Sequence, residues 1–216
     1  MSRSKSSAGW LREHFNDEYV KKAQAEGLRS RAAYKLEEVL ARDRVLRPGA
    51  VVVDLGAAPG GWSQLVRREL GTTGSVFALD ILPMEEIAGV EFLQGDFREQ
   101  AVLQALEQRL DGRQVDLVLS DMAPNMSGMA LPDQIRAMAL AELALDFSRQ
   151  WLRPGGSFLV KLFQGIGFDE YLRGLRTGFS SVTMRKPKAS RARSREVYAL
   201  ATGRRPAPMS SGENRA

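Results

Sequence analysis

This sequence predicts an open, doubly wound α/β sheet, Rossmann-like and mostly parallel, with seven strands and helices on both faces. The first sign is the stretch VVVDLGAAPGGWS (51–63). Three consecutive β-branched residues suit a central strand buried on both faces, and the glycines that follow allow a tight turn into a helix. The second is the alternation of short apolar runs with amphipathic stretches along the chain. The third is the position of Asp54, Asp80, Asp96 and Asp121, each at or just past the end of such a run, where sheets of this kind bind ligands.

Taken in order, residues 21–46 read as one helix, with Ser30 as N-cap and Ala33, Leu36, Val39 and Leu40 recurring at three- and four-residue spacing. Pro48 and Gly49 stop it near Arg47. After the 51–55 strand and the helix opened by Trp62, strands are expected at 75–80 and 90–93. A helix follows over 101–110, built on Val102, Leu103, Leu106 and Leu110, and then a strand over 115–120 (VDLVLS) that runs into Asp121. Residues 122–132 read as a loop and 135–152 as a helix closed by Pro154, Gly155 and Gly156. The strand at 157–163 contains Lys161, and a charge in a core strand needs a partner or a function. A helix over 168–175 leads to a closing pair of strands at 180–185 and 196–201. Their linker, KPKASRARSR, is too basic to be core. The chain reads as one domain to about Arg204, with GRRPAPMSSGENRA, from Gly203, as a disordered tail. His14, the only histidine, is expected on a surface helix.

The totals narrow the function. A chain of 216 residues, 44% hydrophobic and 26% charged, is ordinary globular material for one α/β domain. It has no cysteine, so disulfides, thiolate nucleophiles and zinc or iron–sulfur clusters are excluded, and no metal site is expected. No apolar run approaches the roughly 20 residues of a membrane span, and MSRSKSSAGW lacks the apolar core of a signal peptide, so a cytoplasmic protein is expected. The net charge of +5 is unevenly distributed. Residues 1–47 carry 11 basic against 7 acidic side chains, residues 48–170 carry 9 against 17, and residues 171–195 carry 8 against none. Basic ends around an acidic body imply a polyanion that contacts the edges rather than the ligand site of the sheet. The expected contacts are Arg29, Arg31, Lys186, Lys188, Arg191, Arg193 and Arg195.

The loop chemistry selects the ligand. A dinucleotide turn needs G-x-G-x-x-G to place a pyrophosphate at a helix N-terminus. Here Gly56, Gly60 and Gly61 stand in G-A-A-P-G-G, Pro59 offers no N–H, and Asp54 would repel a phosphate. A cationic ligand bearing an adenosine suits the site better, and S-adenosylmethionine is such a ligand. Asp80, 20 residues after Gly60 and at the end of the second strand, is placed to accept both ribose hydroxyls. Asp96, in QGDF, is placed for the adenine amino group. Trp62 either closes over the cofactor, the favoured reading, or packs its helix on the sheet. Among acceptors, carbon-5 pyrimidine methylation fails for want of a cysteine, and DMAPN (121–125) brings no aromatic to stack a base for amine methylation. What remain are charges in unusual places: Lys35 beside an apolar helix stripe, Lys161 in a buried strand, Glu196 opening the last strand, and Asp121.

DLGAAPGGWSQ, LQGDF, SDMAPNMSG, GGSFLVKLFQG and SRARSREVY closely resemble the FtsJ (RlmE) family of bacterial ribosomal RNA 2′-O-methyltransferases, over about residues 9–204. The order Lys35, Asp121, Lys161, Glu196 is similar to that family's K-D-K-E tetrad. The resemblance implies a class I S-adenosylmethionine-dependent methyltransferase fold. It also implies transfer of a methyl group to the 2′-hydroxyl of a uridine in 23S ribosomal RNA, on the assembled or nearly assembled large subunit, by an enzyme expected to be a monomer. Lys161 is read as the residue that takes the hydroxyl proton or only positions the hydroxyl, Asp121 as its orienting partner, and Lys35 and Glu196 as completing the network. An RNA-binding module without chemistry would have a broken tetrad. A nicotinamide enzyme would need a phosphate-ready loop, and a small-molecule O-methyltransferase has no use for the charge of 171–195.

Overall fold

The computed structural model describes residues 17–191 and 194–206; the expectations for His14 and Arg193 lie outside these. Helix α1 spans Glu18–Ala25, capped by Asp17, whose carboxylate accepts from the Tyr19 N–H at 3.0 Å. Helix α2 spans Ala32–Asp43. The single helix expected over 21–46 is therefore two. The break lies at Gly27, which takes φ +66° and starts the turn into α2. Ser30 does not cap α2 with its side chain; only its carbonyl accepts from the Ala33 N–H. Helix α2 ends at Asp43 because Arg44 adopts the left-handed conformation.

Strand β1 (Val51–Leu55), helix α3 (Gly61–Leu70), β2 (Ser75–Asp80), β3 (Val90–Gln94), helix α4 (Gln100–Leu110) and β4 (Val115–Ser120) follow as expected to within a residue or two. Helix α5 spans Ala130–Trp151, five residues longer at its start than expected. Pro132 does not prevent this, because the first turn of a helix needs no N–H from it. Strand β5 (Leu152–Phe163) leaves α5 directly, and Pro154 and Gly155 fall in an irregular stretch where the register with β4 shifts. Helix α6 (Phe168–Gly178), β6 (Phe179–Arg185) and β7 (Glu196–Arg204) complete the chain. Gly203 and Arg204, expected in the tail, belong to the sheet, with Arg204 paired to Phe179. The 186–195 linker also contributes to the core, contrary to expectation: Ala189 is buried against Ala33 and Tyr34.

The seven strands run in the order β3-β2-β1-β4-β5-β7-β6. β1 to β5 are parallel, and β7 is antiparallel to both its neighbours. Alternation along the strands divides the core into two layers. Val53, Phe77, Phe158, Val160 and Leu162 pack with Leu106, Leu145 and Leu172 of α4 to α6. Val52, Leu117, Leu159 and Tyr198 pack with Leu36, Trp62 and Leu65 of α2 and α3. Among the described residues, no helix is long and apolar enough to cross a membrane. Phe158 is fully buried in β5 and stacks near Phe179 with ring centroids 6.4 Å apart. Phe158→Ala is expected to lower the unfolding free energy by about 3–5 kcal/mol, read as a shift of the urea midpoint with an unchanged slope.

Candidate active site

Because β1, β2 and β4 are parallel neighbours, their carboxyl ends open on the same edge, and a cavity of about 570 Å³ lies there. Gly56, Ala58, Asp80, Asp96, Asp121 and Asn125 line it with apolar walls from Leu79, Leu140 and Leu143. Gly56 is required: φ is +78°, and a Cβ there would sit 2.6 Å from Met122 Cγ and 3.0 Å from its Cα. Asp80 accepts from the Ala58 and Leu82 N–H groups, both at 2.8 Å, which fixes its carboxylate at the rim. Asp96 accepts from the Arg98 N–H and from its guanidinium. The side-chain bond from Arg98 holds its pKa down at about 2.

Other residues of the glycine turn are packed closely: a Cβ at Gly60 would meet Met84 and Ile87 at 2.8 Å, and one at Gly61 would meet Ser30 closer still. The reading of Trp62 as a cover gives way to packing: it is 3% exposed, donates from Nε1 to the Ala32 carbonyl at 2.7 Å, and packs on Tyr198. Asp54 does not reach the cavity either. It is buried, accepts from Ser63 Oγ at 2.6 Å, and leaves Oδ1 without a partner. Burial pushes its pKa up to about 7, with the neighbouring Asp121 and Asp80 carboxylates adding to the rise.

On the α2 side of the same edge the four unusual charges meet. Lys35 Nζ donates to Glu196 Oε1 at 2.7 Å and to the Tyr198 hydroxyl at 3.2 Å. That hydroxyl donates to Asp121 Oδ1 at 2.9 Å. Lys161 Nζ lies 2.9 Å from the same Oδ1 and also donates to the Asp121 carbonyl. The result is one chain of hydrogen bonds, Glu196–Lys35–Tyr198–Asp121–Lys161, drawn from α2, β5, β7 and the end of β4. Ser190 Oγ supports its outer end by donating to Glu196 at 2.9 Å. The β5–β7 register places Lys161 opposite Tyr198. Sequence reasoning missed Tyr198. Its signal is the spacing of two from Glu196 on one strand, which puts both on one face. Burial, then the carboxylates of Asp121 and Glu196, push the Tyr198 hydroxyl well above its ordinary value, so it stays a donor.

The basic residues are used unequally. Arg29 donates to the Glu85 and Glu86 carbonyls at 2.6 and 2.7 Å, and Arg31 pairs with Asp17 and donates to the Ala189 carbonyl. Both hold the α1–α2 turn in place. Lys186 donates to the Ser194 and Glu196 carbonyls. Lys188 and Arg195 are exposed beside the tetrad, and Arg191 is partly buried. Among the described residues, no group of three or more acidic or histidine side chains is arranged to hold a metal ion.

A seven-stranded sheet in this order, with a glycine turn after β1 and acids at the strand ends, is the Rossmann-like fold of class I methyltransferases. The chain belongs to the FtsJ-like methyltransferase family, whose model matches residues 28–204. It is 68% identical over 204 residues to the Ribosomal RNA large subunit methyltransferase E of Xanthomonas euvesicatoria pv. vesicatoria, covering 94% of this chain and 97% of that one. The protein of the same name from Stenotrophomonas maltophilia (strain K279a) is 66% identical over the same shares. A crystal structure described as a ribosomal RNA methyltransferase from Plasmodium falciparum superposes with a TM-score of 0.74 at 27% identity, over 82% of this chain and 98% of that one.

Two outcomes follow from the geometry. Tyr198→Phe removes one bridging hydroxyl, so the methyl-transfer rate constant should fall about tenfold with donor affinity unchanged, measured by single-turnover assay. Asp54 binds its proton more tightly folded than unfolded, where the ordinary value is 3.8. Its contribution therefore lowers stability by up to about 1.4 kcal/mol per pH unit as pH rises from about 4 to about 7. Asp54→Asn should flatten that part of the pH–stability curve, measured by chemical denaturation.

Proposed function

We propose that this enzyme transfers a methyl group from S-adenosylmethionine to the ribose 2′-hydroxyl of a uridine in 23S ribosomal RNA, on the assembled or nearly assembled large subunit, as a cytoplasmic monomer. One observation carries the reading: Asp121 belongs both to the cavity wall and to the charged chain. Donor and acceptor thus meet at one carboxylate. The names of the curated relatives support a ribosomal RNA substrate.

The cavity suits the donor. Its polar wall holds three carboxylates, Asp80, Asp96 and Asp121, with Asn125 and two arginines that are already paired, Arg98 with Asp96 and Arg136 with Asp133, and much of its remaining wall is apolar. That set favours a cation with hydroxyl and amino donors over a phosphate. When bound, S-adenosylmethionine supplies a methyl group activated by its positive sulfur. Asp80 is positioned to accept from the ribose hydroxyls, Asp96 from the adenine amino group, and Asp121 to face the positive charge.

The acceptor hydroxyl is a poor nucleophile, so its placement and the fate of its proton are the tasks of Lys161. Lys161 Nζ donates to the Asp121 carbonyl and lies 2.9 Å from its Oδ1, so Asp121 sets where the amine sits. Held there, Lys161 is the group that receives the hydroxyl proton. Asp121 stabilises the ammonium that results. Lys35 and Glu196, through Tyr198, keep Asp121 from turning away. Lys188 and Arg195, which are exposed, would contact RNA phosphates.

Lys161→Met should reduce methyl transfer at least about 100-fold while S-adenosylmethionine still binds; retained transfer refutes the role. Asp80→Ala should weaken donor affinity about tenfold by calorimetry, and unchanged affinity refutes the ribose assignment. Lys188→Ala should lower the slope of log affinity for RNA against log salt by about 1.

A further inference from the structure

Eight large hydrophobic side chains are exposed among the described residues, and seven of them follow the carboxyl ends of β2, β4 and β5. Five form a group on the α5 side: Met126, Met129, Leu131, Ile135 and Ile166, each 53–68% exposed. Their backbone is held from within. Asp133, 3% exposed, accepts from the N–H and hydroxyl of Ser127 and from the Gly128 N–H, all at 2.8–2.9 Å, and pairs with Arg136. Gln134 Nε2 donates to the Phe163 and Ile166 carbonyls at 2.9 and 3.3 Å, joining the loop after β5 to the start of α5. A buried carboxylate with this many donors presents Met126 and Met129 to solvent as a fixed surface rather than as a loose loop.

Two further observations say what fits there. The surface continues the cavity, because the same loop supplies Met122, Ala123, Pro124 and Asn125 to its wall. The part that carries four of the five is without net charge: from Met122 to Leu140 the charged residues are Asp133 and Arg136, which neutralise each other, and the exposed acids Asp169 and Glu170 come only past Ile166. The basic residues lie on the other side of the tetrad, where the Lys188 N–H binds Glu38 of α2 and Lys186 binds the Glu196 carbonyl. The two sides of the acceptor site therefore differ as the two sides of a single nucleic-acid strand differ, with phosphates on one and flat apolar bases on the other.

We propose that Met126, Met129, Leu131, Ile135 and Ile166 form a ledge on which the nucleobases flanking the methylated nucleotide pack while the phosphates follow the basic side. This rests on the RNA reading above. The occupant is single-stranded RNA, because in a duplex the base faces are stacked on the neighbouring pairs and are not open to the ledge.

The test compares M126S/M129S with the unaltered chain. Both positions are 60% exposed, so the fold and the donor affinity are expected to be unchanged. Binding is measured with a short labelled oligouridylate and with the same strand carrying abasic sites. The double variant should bind the oligouridylate about tenfold more weakly, bind the abasic strand as the unaltered chain does, and keep the salt slope of the unaltered chain. Equal affinity for oligouridylate, an equal loss on the abasic strand, or no measurable oligouridylate binding by the unaltered chain at low salt overturns the proposal. A loss seen only on intact large subunits assigns the ledge to a protein contact and overturns it too. The RNA reading fails on a different measurement, namely no 2′-O-methyluridine in large subunits treated with the unaltered chain.

Discussion

Asp121 is the point at which the architecture and the chemistry depend on each other. It stands where β4 ends, accepts hydrogen bonds from a lysine of β5 and a tyrosine of β7, and forms part of the cavity wall bounded by β1 and β2. A single carboxylate can do this because the strands that converge on it are adjacent in the order β1-β4-β5-β7. Alternation keeps the assembly stable: each lysine lies beside a carboxylate and each carboxylate beside a lysine, so no acid of the network is left without a partner. The neutral Tyr198 hydroxyl at the centre separates the two pairs and orients both.

Where the sequence punctuates itself with Gly and Pro next to β-branched or apolar runs, the elements can be read to within a residue or two, as for β1, β2 and β4. The misreadings share a cause. Helical periodicity continues across Gly27, so 21–46 looks like one helix, and only the left-handed φ of that glycine divides it. Pro132 reads as the end of a loop, yet it sits in the first turn of α5, where it removes no needed N–H; at its other end the helix stops just before Pro154 as expected. Composition misled for the 186–195 linker because a single small residue, Ala189, is enough to fill the space between α1 and α2.

The site divides along a similar line. Residues whose chemistry is unusual for their place, such as Lys161 in a buried strand, are visible in the sequence. Tyr198 is not, because a tyrosine in a strand is ordinary and only the cross-strand register with Lys161 gives it a role. Asp54, Gly60, Gly61 and Trp62 share a motif with Gly56 and Ala58, yet the side chains of Asp54 and Trp62 are spent on Ser63 and Ala32, which sequence proximity does not reveal.

The reversed direction of β7 has a wider meaning. In a parallel strand it would be the last residues that reach the ligand edge; here it is the first, so Glu196 and Tyr198 arrive immediately after the basic segment 186–195. The cavity wall is drawn from the ends of β1 to β4 and from α5, and none of it lies in that segment. The linker that leads into Glu196 and Tyr198 and the residues that line the cavity thus occupy separate stretches of the chain, so the charge of the exposed linker positions is free to vary without altering the cavity wall.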